Sequence, residues 1–270
     1  MQSLVRTITL VLALCFLTTG PAAAALPAAD EAALIQALER GEQIYLYDQA
    51  AWVTTDVMVE KTTPAARARI DGWVITPKAD GLTVVYYGWK DATPYAIFAG
   101  DAKEKTVTGF RVFGPDDDTS LTAEQIRLVK ATDTVRALAE QQPCANARFN
   151  TVTLPPARPG DPILVYLLTP QTREHQFPFG GHFRYEVGAD GSPGASRAFT
   201  RSCITLSDTP EGAGKPVALL ITHLLDPTPT EIHVWLSLWI DKPVYVGTAT
   251  PKQRIWAVEG HRIRLIKDGE

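Results

Sequence analysis

The stretch from Pro178 to Cys203 constrains this chain more than any other. Phe183, Tyr185 and Val187 alternate with His182, Arg184 and Glu186, the period of two that sends successive side chains to opposite faces of a strand. Gly188, Asp190, Gly191, Pro193 and Gly194 then read as a turn, because glycine reaches positive φ and Asp and Pro preset turn geometry. The return strand ends at Cys203. Only one other cysteine beyond residue 25 exists, Cys144, so the end of this hairpin has a single partner for a disulfide.

Whether that bond forms depends on compartment. Residues 1–25 read as a secretory signal peptide: Arg6 supplies the positive start, Ile8 to Leu17 the apolar run, and Ala22 to Ala25 an A-x-A cleavage site. The apolar run is too short to span a bilayer. Cys15 follows Leu14 rather than a small residue, which argues against lipidation. The expectation is therefore a protein exported to the periplasm or beyond, with a Cys144–Cys203 disulfide and no membrane span after cleavage. The full chain carries a formal charge of −4. Removing Arg6 makes it −5, and no basic stripe appears, which excludes nucleic acid as an expected partner.

Along the remaining 245 residues (26–270), Asp30 is expected to cap a helix over Glu31–Arg40 that stops at Gly41. Gln43–Tyr47 reads as a strand and Asp48–Glu60 as a helix. Four strands follow, Gly72–Thr76, Leu82–Trp89, Pro94–Phe98 and Thr106–Phe113, separated by turn residues as in an antiparallel meander. Thr122 with Gln125 forms a capping box opening a helix to about Gln141, with Leu128, Ala131, Val135 and Leu138 on its buried stripe.

From Arg148 onward nine short strands and no helix are expected, including Pro216–His223, Glu231–Ile240 and Pro243–Thr248. The fold class is thus α+β and β-rich. An α+β half (26–143) carries the meander, and an all-β half (144–270) forms a sandwich or barrel-like sheet packed on it and tied by the disulfide. Pro155–Pro162 is the most linker-like segment.

The best chemical candidate lies between Thr222 and Trp239. Read as a strand, Glu231, His233, Trp235, Ser237 and Trp239 share one face, while Ile232, Val234, Leu236, Leu238 and Ile240 make a core face. Glu231 and His233 are the residue types for proton transfer, and His182, His223 and His233 the types for a zinc site. The alternative is a second layer covering that face, with Trp and His hydrogen-bonded at its rim. Arg197 and Arg201 can pair with Glu186 across the hairpin or hold an anion.

No G-x-S-x-G elbow, S-x-x-K, zinc-helix signature, phosphate loop or complete calcium loop is present, so no cofactor is expected. Tyr86, Tyr87 and Trp89, together with Trp235 and Trp239, form the candidate binding surface. The leading functional expectation is a binding or structural protein whose partner is an unidentified ligand or envelope protein. The rival is a periplasmic metal-dependent hydrolase using His233 and Glu231 with His182 or His223.

Overall fold

The computed structural model describes residues 26–208 and 217–269; the expected signal segment, 1–25, lies outside the described residues. The chain opens with α1 (Ala28–Lys61), 34 residues without a break. This corrects the expected stop at Gly41 and the expected strand over 43–47. Ala37, Gly41, Ile44, Asp48 and Ala51 are buried at steps of four and three, the spacing of one helical face. Gly41 stands on that face. A Cβ there would overlap the Val234 side chain and lie 2.7 Å from the Glu231 carbonyl oxygen, so glycine is required by close approach of another backbone, not by a helix end. Asp30 lies in the first turn rather than at the cap, and its carboxylate accepts from Arg254 Nη1 at 2.6 Å.

A single turn, α2 (Pro64–Arg67), leads into the meander. Its strands β1 (Gly72–Lys78), β2 (Gly81–Lys90), β3 (Thr93–Lys103) and β4 (Thr106–Val112) pair antiparallel in sequence order. Alternation divides the sheet cleanly. Ile75, Val84, Tyr86 and Phe98 face the core that α1 covers. Val74, Val85, Tyr87 and Ala96 face the opposite core, covered by α3 (Ala123–Leu138). The capping box of α3 forms as expected: Gln125 N–H donates to Thr122 Oγ1 at 3.2 Å, and Thr122 N–H to Gln125 Oε1 at 2.9 Å.

Next come β5 (Asn150–Leu154), β6 (Ile163–Leu168), β7 (Gln176–Pro178), β8 (Phe183–Val187), β9 (Pro193–Ala198) and β10 (Thr205–Ser207). One sheet runs β5-β6-β8-β9, all antiparallel, and β7 pairs with β10. The proline-rich segment 155–162 is the hairpin connection between β5 and β6. Every residue of β6 is buried, with Tyr166 and Leu168 in one core and Val165 and Leu167 in the other.

The last sheet runs β11 (Leu219–His223), β12 (Val244–Thr248), β13 (Arg254–Val258) and β14 (Ile263–Asp268). Here β11 and β12 are parallel. A parallel pair cannot be joined by a tight turn and needs a crossover, usually helical. That crossover contains α4 (Glu231–Ile240), so the strand expected over 231–240 and the all-β character of residues 144–270 are both corrected. The architecture is α+β and β-rich, with four sheets and no closed barrel among the described residues.

One continuous core joins Ile44, Tyr86 and Phe98 to Tyr166, Trp235 and Trp256. Segments 26–143 and 144–270 therefore share their interior. The Cys144–Cys203 disulfide is formed across a sequence separation of 59. In the chain-entropy account a loop of that length stabilises by about 4 kcal/mol.

The close crossing of α1 and α4 makes a direct prediction. Gly41→Ala gains helix propensity worth about 1 kcal/mol. It also forces a methyl into occupied space, and overpacking of this kind costs about 1–3 kcal/mol or more. Urea unfolding is expected to show net destabilisation; an unchanged or raised midpoint would contradict the crossing.

Candidate functional site

The titratable residues singled out from the sequence gather around the first turn of α4. His233 Nδ1 accepts from the Thr230 backbone N–H at 3.0 Å, doing for this helix start what Glu or Gln does in a capping box. Its proton therefore sits on Nε2. His223, at the end of β11, meets His233 edge to face with ring centroids 4.8 Å apart. His223 Nε2 donates to Asp226 Oδ2 at 2.7 Å, and Arg197 Nη2 donates to the same oxygen at 2.7 Å. Burial alone would raise the Asp226 carboxyl, but the His223 and Arg197 bonds outweigh it and bring it down to about 2.

His182 lies behind this group, packed edge to face on Trp235 at 5.3 Å. Both of its ring nitrogens are engaged, Nδ1 accepting from Thr169 N–H at 3.2 Å and Nε2 donating to the Pro178 carbonyl at 3.0 Å. Burial pushes His182 down to about 4 despite the Pro178 bond, and burial together with nearby His223 holds His233 well below the ordinary range.

Glu231 opens α4 beside them. Its Oε1 accepts from Arg184 Nη1 at 2.7 Å and from Tyr166 Oη at 3.2 Å, with Arg40 Nη1 at 4.0 Å. Among the described residues, Arg184 Nε is the one buried side-chain nitrogen or oxygen with no partner. No three His, Cys, Asp or Glu side chains among the described residues are grouped to hold a metal. His182, His223, Glu231 and His233 are all buried, and their bonds run inward to the fold. Their geometry makes a packed polar seam rather than a cleft in which a substrate meets an acid and a base.

The aromatic surface expected from the sequence is largely interior. Tyr86, Tyr87 and Trp235 are fully buried, which removes them as a ligand surface. Tyr86 and Tyr87 sit on the two opposed core faces of β2. Trp235 lies under α1, its Nε1 donating to Asp48 Oδ2 at 3.4 Å. Trp239 is half-buried, stacked on Trp235 at 5.1 Å and edge-on to Phe177. Trp89 is half-buried at the mouth of a cavity of about 450 Å³ with Tyr95 and Phe113.

A larger cavity, about 1010 Å³, opens between the start of β1, the end of α3 and the irregular segment after it. Its walls carry Trp73, Arg136, Gln141, Asn146, Arg148 and Phe149. The segment has no helix or strand of its own, so its position depends on anchors. Cys144 is bonded to Cys203, and its N–H donates to Thr169 Oγ1 at 3.1 Å. Thr169 Oγ1 donates in turn to the Gly181 carbonyl at 2.7 Å. Gly181 has φ +76° and lies against the Cys144 sulfur, where any side chain would collide. Tyr185 Oη donates to Gln141 Oε1 from the far side.

None of these cavity residues was singled out from the sequence. The available signal was a polar, amide-rich run, Gln141 to Arg148, fixed at its middle by a cysteine. Searches of protein-family models, curated proteins and solved structures find no match to this chain.

The buried seam makes a pH prediction. His182 and His233 have folded values below the unfolded 6.5, so the unfolded chain binds more protons and stability falls as pH drops below 6.5. Asp48 works the other way. Burial raises it to about 6 despite the Trp235 bond, so the folded chain binds the extra proton and stability rises as pH falls from 6. Between pH 6 and 5 the parent should lose stability with a slope of roughly one proton, about 1.4 kcal/mol per pH unit. Asp48→Asn should steepen this to roughly two protons and raise stability at pH 8, where the buried carboxylate is charged. Chemical denaturation across this range measures both; an unchanged slope in Asp48→Asn would refute the assignment.

Proposed function

We propose that this chain is an exported protein that binds a small ligand in the cavity beside the Cys144–Cys203 disulfide. The observation that carries the reading is the cavity itself. At about 1010 Å³ it has the size of a ligand site, with aromatic rings and a few convergent polar groups on its walls. The seam around α4 supports binding over hydrolysis, because its histidines and carboxylates are buried and bonded to one another or to the backbone. The disulfide suits a protein made for an oxidising compartment, in agreement with the Arg6, Ile8–Leu17 and Ala22–Ala25 pattern. No helix among the described residues is long and apolar enough to cross a membrane.

Binding is tested by a thermal-shift screen of small polar and aromatic compounds against the parent and Ala147→Trp. Ala147 is exposed and lines the cavity, so an indole there fills space without disturbing a core. A ligand at a hundred times its Kd stabilises the folded state by about 2.7 kcal/mol. Stabilising compounds should lose their effect in Ala147→Trp. Compounds that stabilise both proteins equally, or none that stabilise the parent, would refute the site.

Export is tested separately by the N-terminus of the protein recovered from its native cell. The expected mature chain begins at Leu26 in the envelope or secreted fraction. A full-length chain in the cytoplasm would overturn it.

A further inference from the structure

We propose that the ligand of this cavity is an organic anion with a flat apolar part. Its charged group is held by Arg148 and Arg136, and its flat part lies against Trp73 and Phe149. The inference rests on the binding reading above and adds the chemistry of the ligand.

The first observation concerns charge. Arg148 is exposed on the cavity wall, with no hydrogen bond or ion pair to any other described residue. Most arginines around the fold's interior are neutralised: Arg184 by Glu231, Arg197 by Asp226, Arg254 by Asp30 and Asp268. Arg136, in the last turn of α3, also lines the cavity. Its Nη1 donates to the Asp71 carbonyl at 3.2 Å and lies 3.6 Å from Asp133 Oδ1, which orients the guanidinium while leaving donors of its five-hydrogen fork unused. Among the described residues, Asp71 is the one acidic residue lining the cavity. With Arg136 paired to Asp133, Arg148 is the lining cation without a carboxylate partner, in a chain whose formal charge is −4. A general field would not draw anions here; the unpaired Arg148 guanidinium does, with the unused donors of Arg136 on the same cavity.

The second observation concerns shape. Two rings that line the cavity are each packed against another ring. Phe149 meets Phe183 edge to face at 5.9 Å, and Trp73 lies tilted on Tyr86 at 6.3 Å. Both are half-buried, so part of each ring is fixed in the core while the rest remains accessible. Rings held this way offer flat apolar contact with little ordering cost on binding. Guanidinium forks match the planar geometry of carboxylate or the oxygens of phosphate and sulfonate.

The test uses three matched probes on the full mature protein: 2-naphthoate, the neutral 2-naphthylmethanol and the cationic 2-naphthylmethylammonium, each titrated calorimetrically. Naphthoate should bind at least tenfold more tightly than the alcohol, and the ammonium more weakly than either. Arg148→Gln should weaken naphthoate at least fivefold while leaving the alcohol within twofold. Because Arg148 is exposed and unpaired, its melting temperature should match the parent's. Equal affinities for naphthoate and alcohol, or full naphthoate affinity in Arg148→Gln, would overturn the proposal. Alcohol binding that Ala147→Trp abolishes would then leave the cavity as a site for neutral ligands. If none of the three binds, the anion proposal falls, and the compound screen decides the cavity on its own terms.

Discussion

The fold is organised by the backbone-to-backbone approach of α1 and α4 at Gly41. With no Cβ at that position, the Glu231 carbonyl and Val234 side chain come within ordinary contact of the α1 backbone. Neighbouring positions on the same face then fall into register. Arg40 reaches toward Glu231 one residue before the glycine, and Asp48, two turns on, accepts from Trp235. Since α4 is also the crossover between the parallel strands β11 and β12, this contact docks the last sheet onto the N-terminal helix. The α1 face continues past it over the meander, where Tyr86 Oη donates to the Ala51 carbonyl at 3.0 Å. One helix thereby serves both halves of the chain.

That dependence also explains what could be read in the sequence. The meander, the capping box at Thr122 and the disulfide rest on local signals or on having one available partner. Gly41 carries the same letter whether it ends a helix or admits a neighbour, and nothing nearby distinguishes the two uses. The short apolar and aromatic run Gln43–Tyr47 and the alternation from Glu231 to Ile240 both read locally as strand. In α4 the alternation carries no information about faces, because polar and apolar positions are buried alike. The helix is imposed by the parallel pairing of β11 and β12, a long-range fact. Its local marks, Thr230 before the first turn and Glu231 within it, were present but outweighed.

The candidate site divides similarly. Residue type singled out His182, His223, Glu231 and His233; in the fold the histidines pack near one another while Glu231 bonds to Arg184 and Tyr166. Residue type could not say whether they would face a cleft or each other. Charge balance decides: each half-buried arginine in the seam has its carboxylate, and His182 and His233 are kept neutral by burial. A fully packed seam of this kind favours one arrangement of the core, since a slipped α4 would strand several charges at once.

The cavity has the opposite economy of contacts. Its walls come from residues 70–73, 136–151 and Leu167, so no window of sequence contains it. Irregular backbone of this sort is usually mobile and variable unless something outside it holds it. Here a covalent bond, the Thr169 bridge and the Tyr185–Gln141 contact hold it from three directions. The fold thus spends strong constraints on a segment that contributes little to the core. It leaves an unpaired guanidinium and two half-open rings beside it. Constraint without core burial makes sense where geometry must be kept for something the chain does not itself supply. The proposed ligand site lies at this stapled loop, while the histidines belong to the buried seam around α4.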